Sequence, residues 1–163
     1  MANNFQRMIQ LVNETFDTRN DPEQLDVNEE VIEYLFKLHP ATLSEHVEGD
    51  GPVVWILVIP TTTDIMNRFL NYEITEHDLL YLTPLNEKYD ALYLCSASVL
   101  DEFRRKGLAK KMTLDAIEII SKDHPIKNIF VWHFSAEGEK LAENIAKERS
   151  LPLLKRKDKP HTN

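Results

Sequence analysis

Val99-Leu100-Asp101-Glu102-Phe103-Arg104-Arg105-Lys106-Gly107-Leu108-Ala109 is the stretch that decides the fold. Before it, residues 91–99 read as a strand, with Tyr93, Cys95, Ala97 and Val99 on one face and Leu92, Leu94, Ser96 and Ser98 on the other. After it, Leu108, Met112, Ala116, Ile119 and Ile120 form one helical stripe, which predicts a helix near residues 105–121. Residues 104–111 place five cations in eight positions at this junction. A helix N-terminus carries partial positive charge and unpaired N–H groups, so each cation there is disfavoured by about 0.3–1 kcal/mol. An anion supplied by a ligand reverses the sign: phosphate gains from the N–H donors, the dipole, and the Arg and Lys side chains. Gly107 lets the backbone approach such a group without a Cβ, and Ala109 keeps the next turn small. A second reading stays open. If the helix begins at Asp101 or Glu102, the basic residues are a solvated face, and Gly107 sits inside the helix at about 1 kcal/mol relative to Ala. The phosphate motifs GxxxxGK[ST] and GxGxxG are absent.

Working outward, residues 126–134 read as a strand, 137–149 as a helix and 151–154 as one more short strand. Strand–helix–strand–helix with short connections implies a parallel pair joined by a right-handed crossover. Upstream, Phe5, Met8, Ile9, Val12 and Phe16 mark a first helix behind Asn3-Asn4. Asp26 is placed to cap a second, with Val27, Val31, Tyr34, Leu35 and Leu38 on its apolar face and Pro40 beyond its end. Residues 42–48 and 53–59 flank the turn Glu48-Gly49-Asp50-Gly51-Pro52 and suggest a hairpin whose second strand is buried on both faces and stopped by Pro60. Thr61, Thr62 and Thr63 offer caps for a helix carrying Ile65, Met66, Phe69 and Leu70. Thr75 and Asp78 form a capping-box pattern opening another helix through Leu82. The expectation is an α/β (α+β) fold with a mixed sheet in a single domain over 1–163. It comprises a helical and hairpin part (1–60), a helical insert (61–83), a strand–helix core (90–150) and a basic tail (155–163).

Composition narrows the function. A chain of 163 residues with 42% hydrophobic and 28% charged residues fits one globular domain. The net charge of −8 repels polyanions, and no aromatic residues interleave with the cations of 104–111 or 155–159, which argues against a nucleic-acid partner. The single cysteine, Cys95, allows no intramolecular disulfide, and the six histidines never fall in an HxH or HExxH arrangement, so no metal is expected. The longest apolar run, residues 53–59, is far short of the roughly 20 residues a membrane-spanning helix needs. With no signal-peptide pattern at the N-terminus, a cytoplasmic protein without membrane contact is expected.

The junction also resembles the acyl-coenzyme-A signature of the GNAT superfamily of N-acyltransferases. Its core pattern Arg/Gln-x-x-Gly-x-Gly/Ala is met by Arg104, Gly107 and Ala109, with the aromatic Phe103 directly before the arginine and an apolar strand ending in Val99. The likeness covers residues 91–150 well and the first 60 only as a generic order of helices and hairpin. It implies a GNAT-like mixed sheet, centrally splayed and flanked by helices. The backbone of 104–109 would hold the diphosphate of acetyl-CoA or coenzyme A, with Arg104, Arg105, Lys106, Gly107, Leu108, Ala109 and Lys110 as the cofactor-binding residues. The pantetheine arm would lie beside the strand ending at Val99, whose backbone N–H would serve as oxyanion donor. The activity implied is transfer of an acetyl group from acetyl-CoA to a primary amine by direct attack.

The chain departs from the family pattern at several points. Where the family shows Asn-x-x-Ala-x-x-Leu-Tyr, this sequence has residues 135–142, with Ser135 in place of the asparagine and Ala142 in place of the tyrosine that protonates the leaving thiolate. Ser135 either takes part in cofactor binding or caps the helix. His133 is the best titratable candidate for a base, with Tyr93 and Glu45 behind it. Cys95 has no sequence neighbour to activate it and reads as buried. The acidic residues of the hairpin and insert, Glu45, Glu48, Asp50, Asp64, Glu73, Glu76 and Asp78, would suit a cationic amine or form an ordinary acidic surface. The missing tyrosine keeps open a coenzyme-binding or regulatory module that transfers nothing. A second copy of the chain is a further partner to consider.

Overall fold

The computed structural model describes residues 2–19, 21–132 and 135–157. Its elements run α1 (Asn4–Arg19), α2 (Glu29–Leu38), β1 (Leu43–Glu48), β2 (Gly51–Thr61), α3 (Thr63–Leu70), α4 (Glu76–Leu82), β3 (Ala91–Val99), a 3-10 turn (Asp101–Phe103), α5 (Leu108–Asp123), β4 (Asn128–Val131), α6 (Ala136–Arg149) and β5 (Leu153–Lys155). The strands form one mixed sheet in chain order. The β1–β2 and β2–β3 pairs are antiparallel; β3–β4 and β4–β5 are parallel. The expected mixed α/β fold is what forms.

The sheet is buried on both faces because its strands alternate between two apolar cores. Leu57, Ile59, Tyr93 and Phe130 point to the side covered by α2, α3 and α4. Ile56, Val58, Leu92 and Ile129 point to the side covered by α1, α5 and α6. On the first side the Tyr93 and Phe130 rings stack at 5.0 Å, worth about 0.5–1.5 kcal/mol beyond the area they bury.

The side-chain caps explain most helix starts. Thr62 accepts from the Ile65 N–H at α3, and Ser135 Oγ accepts from the Gly138 N–H at α6. At α4, Thr75 and Asp78 form the reciprocal capping box expected from the sequence. The α2 cap is Asn28 rather than Asp26, two residues later than anticipated, and Val27 lies outside the helix and exposed. Both residue types cap well, and the apolar face from Val31 onward decides between them.

Two expectations, the stop at Pro60 and the strand bounds, need correction, and two features go beyond the sequence reading. Pro60 does not stop β2 but lies within it, paired with Leu92 of β3. The last β2 residue paired with β1 is Leu57, so Pro60 sits where one edge of the strand is free, and a missing N–H is tolerated there. The stripe of α1 is only partly buried: Met8 is covered, whereas Phe5, Ile9 and Phe16 remain exposed. Strand β4 is shorter than 126–134, and β5 is displaced to Leu153–Lys155. The basic tail is not all solvated. Lys155 ends β5 and pairs with Glu139 and Glu143. Arg156 is buried among the rings of Phe69, Tyr72 and Trp132, with its guanidinium carbon 3.8–4.6 Å from their centroids.

Candidate functional site

The sheet opens between its third and fourth strands. β4 pairs with β3 only from Ala91 to Leu94, and the last partner is Val131. Beyond this point β3 continues to Val99, and among the described residues it is paired there with β2 alone. A bulge marks the opening: Leu57 pairs with Ser96 and Val58 with Leu94, so Cys95 is the extra residue on β3. At the far end the Leu100 N–H donates to the Val53 carbonyl at 3.0 Å. Strand alternation then turns the N–H groups of Val99 and Ala97 to the opposite edge, into the gap.

The gap leads to the N-terminus of α5. After the 3-10 turn, Arg105 takes a positive φ of 63° and Gly107 one of 76°. Glycine adopts this conformation freely, whereas a non-glycine residue held there stores roughly 1–3 kcal/mol of strain. Gly107 is the N-cap and offers no side chain, so the N–H groups of Leu108, Ala109 and Lys110 have no intrahelical acceptor; the first helical bond is Lys111 N–H to the Gly107 carbonyl at 3.0 Å. No acidic residue occupies the first turn. A Cβ at position 107 would meet nothing within 4 Å, so the turn faces open space. Gly107 thus stands before the helix, not inside it.

A groove of about 980 Å³ runs from this turn along the free edge of β3 to the point where the sheet closes. It brings together Val99, Arg104, Arg105, Gly107, Leu108, Ala109, Lys110 and Ser135 of the expected site. Lys106 stands apart from the lining, its ammonium 5.3 Å from the centre of the Phe103 ring. Arg104 Nε donates to the Val99 carbonyl at 3.2 Å, and its guanidinium lies 3.3 Å from the Asp101 carboxylate. Lys110 pairs with Glu148 of α6. Ser135 both lines the groove and caps α6. Ala142, where a hydroxyl would be expected, is 3% exposed and forms part of the wall. His133 lies outside the described residues. Glu45 is remote in role as well as sequence, accepting from the Trp55 indole N–H at 2.8 Å.

Two features escape a reading of the sequence. Glu76, taken there as one of several surface or substrate-facing acids, is 1% exposed. Its Oε1 accepts from the Leu25 N–H and its Oε2 from the Tyr93 hydroxyl, each at 2.5 Å, and the Cys95 thiol lies 3.8 Å from Oε2. The available signal was helical spacing: Glu76, Leu79 and Leu80 share the buried face of α4. Cys95 is half-buried, and it lines the groove where the gap opens.

Among the described residues no cluster of His, Cys, Asp or Glu has the makings of a metal site. None of the described helices is long and apolar enough to cross a membrane. No family model matches the sequence, and no curated protein does. Among solved structures the chain is similar to Chaetomium thermophilum Naa20, known from a crystal structure in complex with a bisubstrate analogue. The identity is 13%, the TM-score 0.49, and the match covers 85% of this chain. The chain spans 65% of the length of that one.

Proposed function

We propose that this protein is an acyl-CoA-dependent N-acyltransferase that moves an acetyl group from acetyl-CoA to a primary amine by direct attack. One observation carries the reading: the edge of β3 that has no strand partner among the described residues leads to the uncapped N-terminus of α5 at Gly107. A diphosphate fits the α5 end, where backbone N–H groups and the helix dipole lie and Arg104, Arg105 and Lys110 line the groove. An arm rich in amides fits the strand edge, where it would take the place of the missing strand partner. The Val99 N–H faces the gap and supplies a preorganised donor for developing oxyanion charge. The thioester contributes an activated acyl group with a good leaving thiolate.

Consumption of acetyl-CoA with a panel of primary amines tests this directly. Amine-dependent release of coenzyme A supports it. Saturable coenzyme binding with no transfer to any amine supports instead a coenzyme-binding module, the reading favoured by the buried methyl of Ala142 where an acid would stand.

A further inference from the structure

Resting on the acyltransferase reading, we propose that Cys95 and Glu76 form the proton relay of the reaction, with Cys95 meeting the substrate and Glu76 acting through it. The bulge at Cys95 coincides with the last β3–β4 pair, so this side chain stands where the gap opens through the sheet. Bulges re-aim side chains in this way. The groove lies mainly against α5 and α6, whereas Cys95 and Trp132 belong to the opposite face, the one covered by α2, α3 and α4. An acyl group carried along the β3 edge from the α5 side reaches Cys95 as it emerges on that face.

Behind the thiol stands a carboxylate that accepts, among the described residues, from the Leu25 N–H, the Tyr93 hydroxyl and the Cys95 thiol itself. Glu76 is delivered by α4, part of the helical insert between β2 and β3, and the capping box at Thr75 and Asp78 fixes the turn that bears it. The insert therefore supplies a buried proton acceptor behind the groove.

The chemistry balances with one proton and no further reactant. The amine lone pair forms the new C–N bond. As the nitrogen becomes positive, its proton passes to the Cys95 sulfur while the thiol proton passes to Glu76. The C–S bond of the thioester then breaks with its electron pair on the departing sulfur. The proton held by Glu76 returns through Cys95 to that sulfur, giving amide and thiol. A single relay thus serves as base and as acid, the two roles for which the sequence offers no settled residue and no tyrosine at Ala142.

The test compares wild type with Cys95→Ala, Cys95→Ser and Glu76→Gln, measuring coenzyme-induced thermal shift, kcat and the KM for acetyl-CoA. The relay predicts that Cys95→Ala keeps the thermal shift and the KM but loses about 100-fold in kcat, the scale of general acid–base catalysis. Cys95→Ser, which keeps an exchangeable proton, recovers about tenfold of this. Glu76→Gln matches Cys95→Ala if it folds; the two cysteine variants decide the matter if it does not. A Cys95→Ala enzyme with wild-type kcat overturns the relay and leaves the acyltransferase reading intact. A wild-type protein with no coenzyme-induced shift overturns both.

Discussion

Arg104 Nε donates to the carbonyl of Val99 at 3.2 Å, so the arginine that opens the basic turn also holds the end of the strand leading into it. Strand edge and helix N-terminus are thereby fixed relative to each other by a side chain in the junction itself. On the proposed reading, a ligand along the edge and an anion at the helix would meet a geometry already set.

The conformation of Gly107 makes a prediction of sign. At a φ of 76°, alanine enters a left-handed region that disfavours it by about 1–2 kcal/mol, although no atom would clash with its Cβ. Gly107→Ala is therefore expected to destabilise by about that amount in urea unfolding. Stabilisation by about 1 kcal/mol, the gain for a glycine inside a helix, would mean that α5 starts earlier than described.

Arg7 of α1 and Glu102 of the 3-10 turn form a two-pronged pair, Nη1 to Oε1 at 2.6 Å and Nη2 to Oε2 at 2.8 Å. The hydrogen bonds from the guanidinium pull the Glu102 carboxyl from 4.5 down to about 2. Because the folded value is the lower one, the unfolded chain binds the proton more readily. The pair's contribution is complete above about 4.5 and is lost as pH falls toward about 2. Both side chains are solvated, so the effect is modest and screened by salt. Melting temperatures between pH 5 and pH 2 should fall less steeply for Glu102→Gln than for wild type; parallel curves would show that the pair contributes nothing.

His124 responds in a different range. Its ring packs at a tilt against Tyr89, with centroids 4.6 Å apart, and its Nδ1 accepts from the Tyr89 N–H at 3.3 Å. Burial, followed by the charges of His39 and Lys88, lowers its pKa from 6.5. The unfolded chain is protonated first as pH drops, so stability declines through and below about 6.5. His124→Phe is expected to flatten the melting curve between pH 7.5 and 5.5, and an unchanged slope there would contradict the assignment.

Arg156 couples the strand end to the insert. Its Nε donates to the Phe69 carbonyl at 2.7 Å, and Nη2 donates to the Ile74 carbonyl at 2.9 Å and to Glu23 Oε1 at 2.7 Å. Removing one partner of a buried pair costs about 3–5 kcal/mol, and the partial exposure of Glu23 points to the low end. Arg156→Ala is expected to lose about 3 kcal/mol by chemical denaturation. Arg156→Lys should recover little of it, because an ammonium cannot reproduce the stacked, forked contacts. Full recovery by lysine would show that charge alone matters.

Much of the architecture was legible because it depends on local chemistry. The strand end at Val99 and the capping box at Thr75 act within a few residues, and each is where the sequence places it; Thr62 is one of three threonines offered as caps, Ser135 caps α6 as one of its two readings has it, and α5 starts at Leu108, with Gly107 before it rather than inside. Of the groove, only the contiguous basic turn at its outer end was legible in the residues; the gap in the sheet was implied by the resemblance alone. What escaped depends on distance along the chain. Glu76 looks like a favourable acid in the first turn of a helix, and only Tyr93, 17 residues on, and Leu25, 51 residues back, make it a buried carboxylate. Arg156 reads as one of a run of cations until Phe69, 87 residues earlier, is placed beside it. Cys95 lacked a partner in sequence because its partner sits on the insert.

The central claim is that the turn at Gly107 grips the diphosphate of coenzyme A, and calorimetric titration of coenzyme A into wild type, Gly107→Ala and Gly107→Glu tests it most directly. Saturable binding by wild type and by the alanine variant, abolished in the glutamate variant while its circular dichroism stays native, is the expected result. Equal affinity in wild type and Gly107→Glu, or no binding by wild type, would contradict the account.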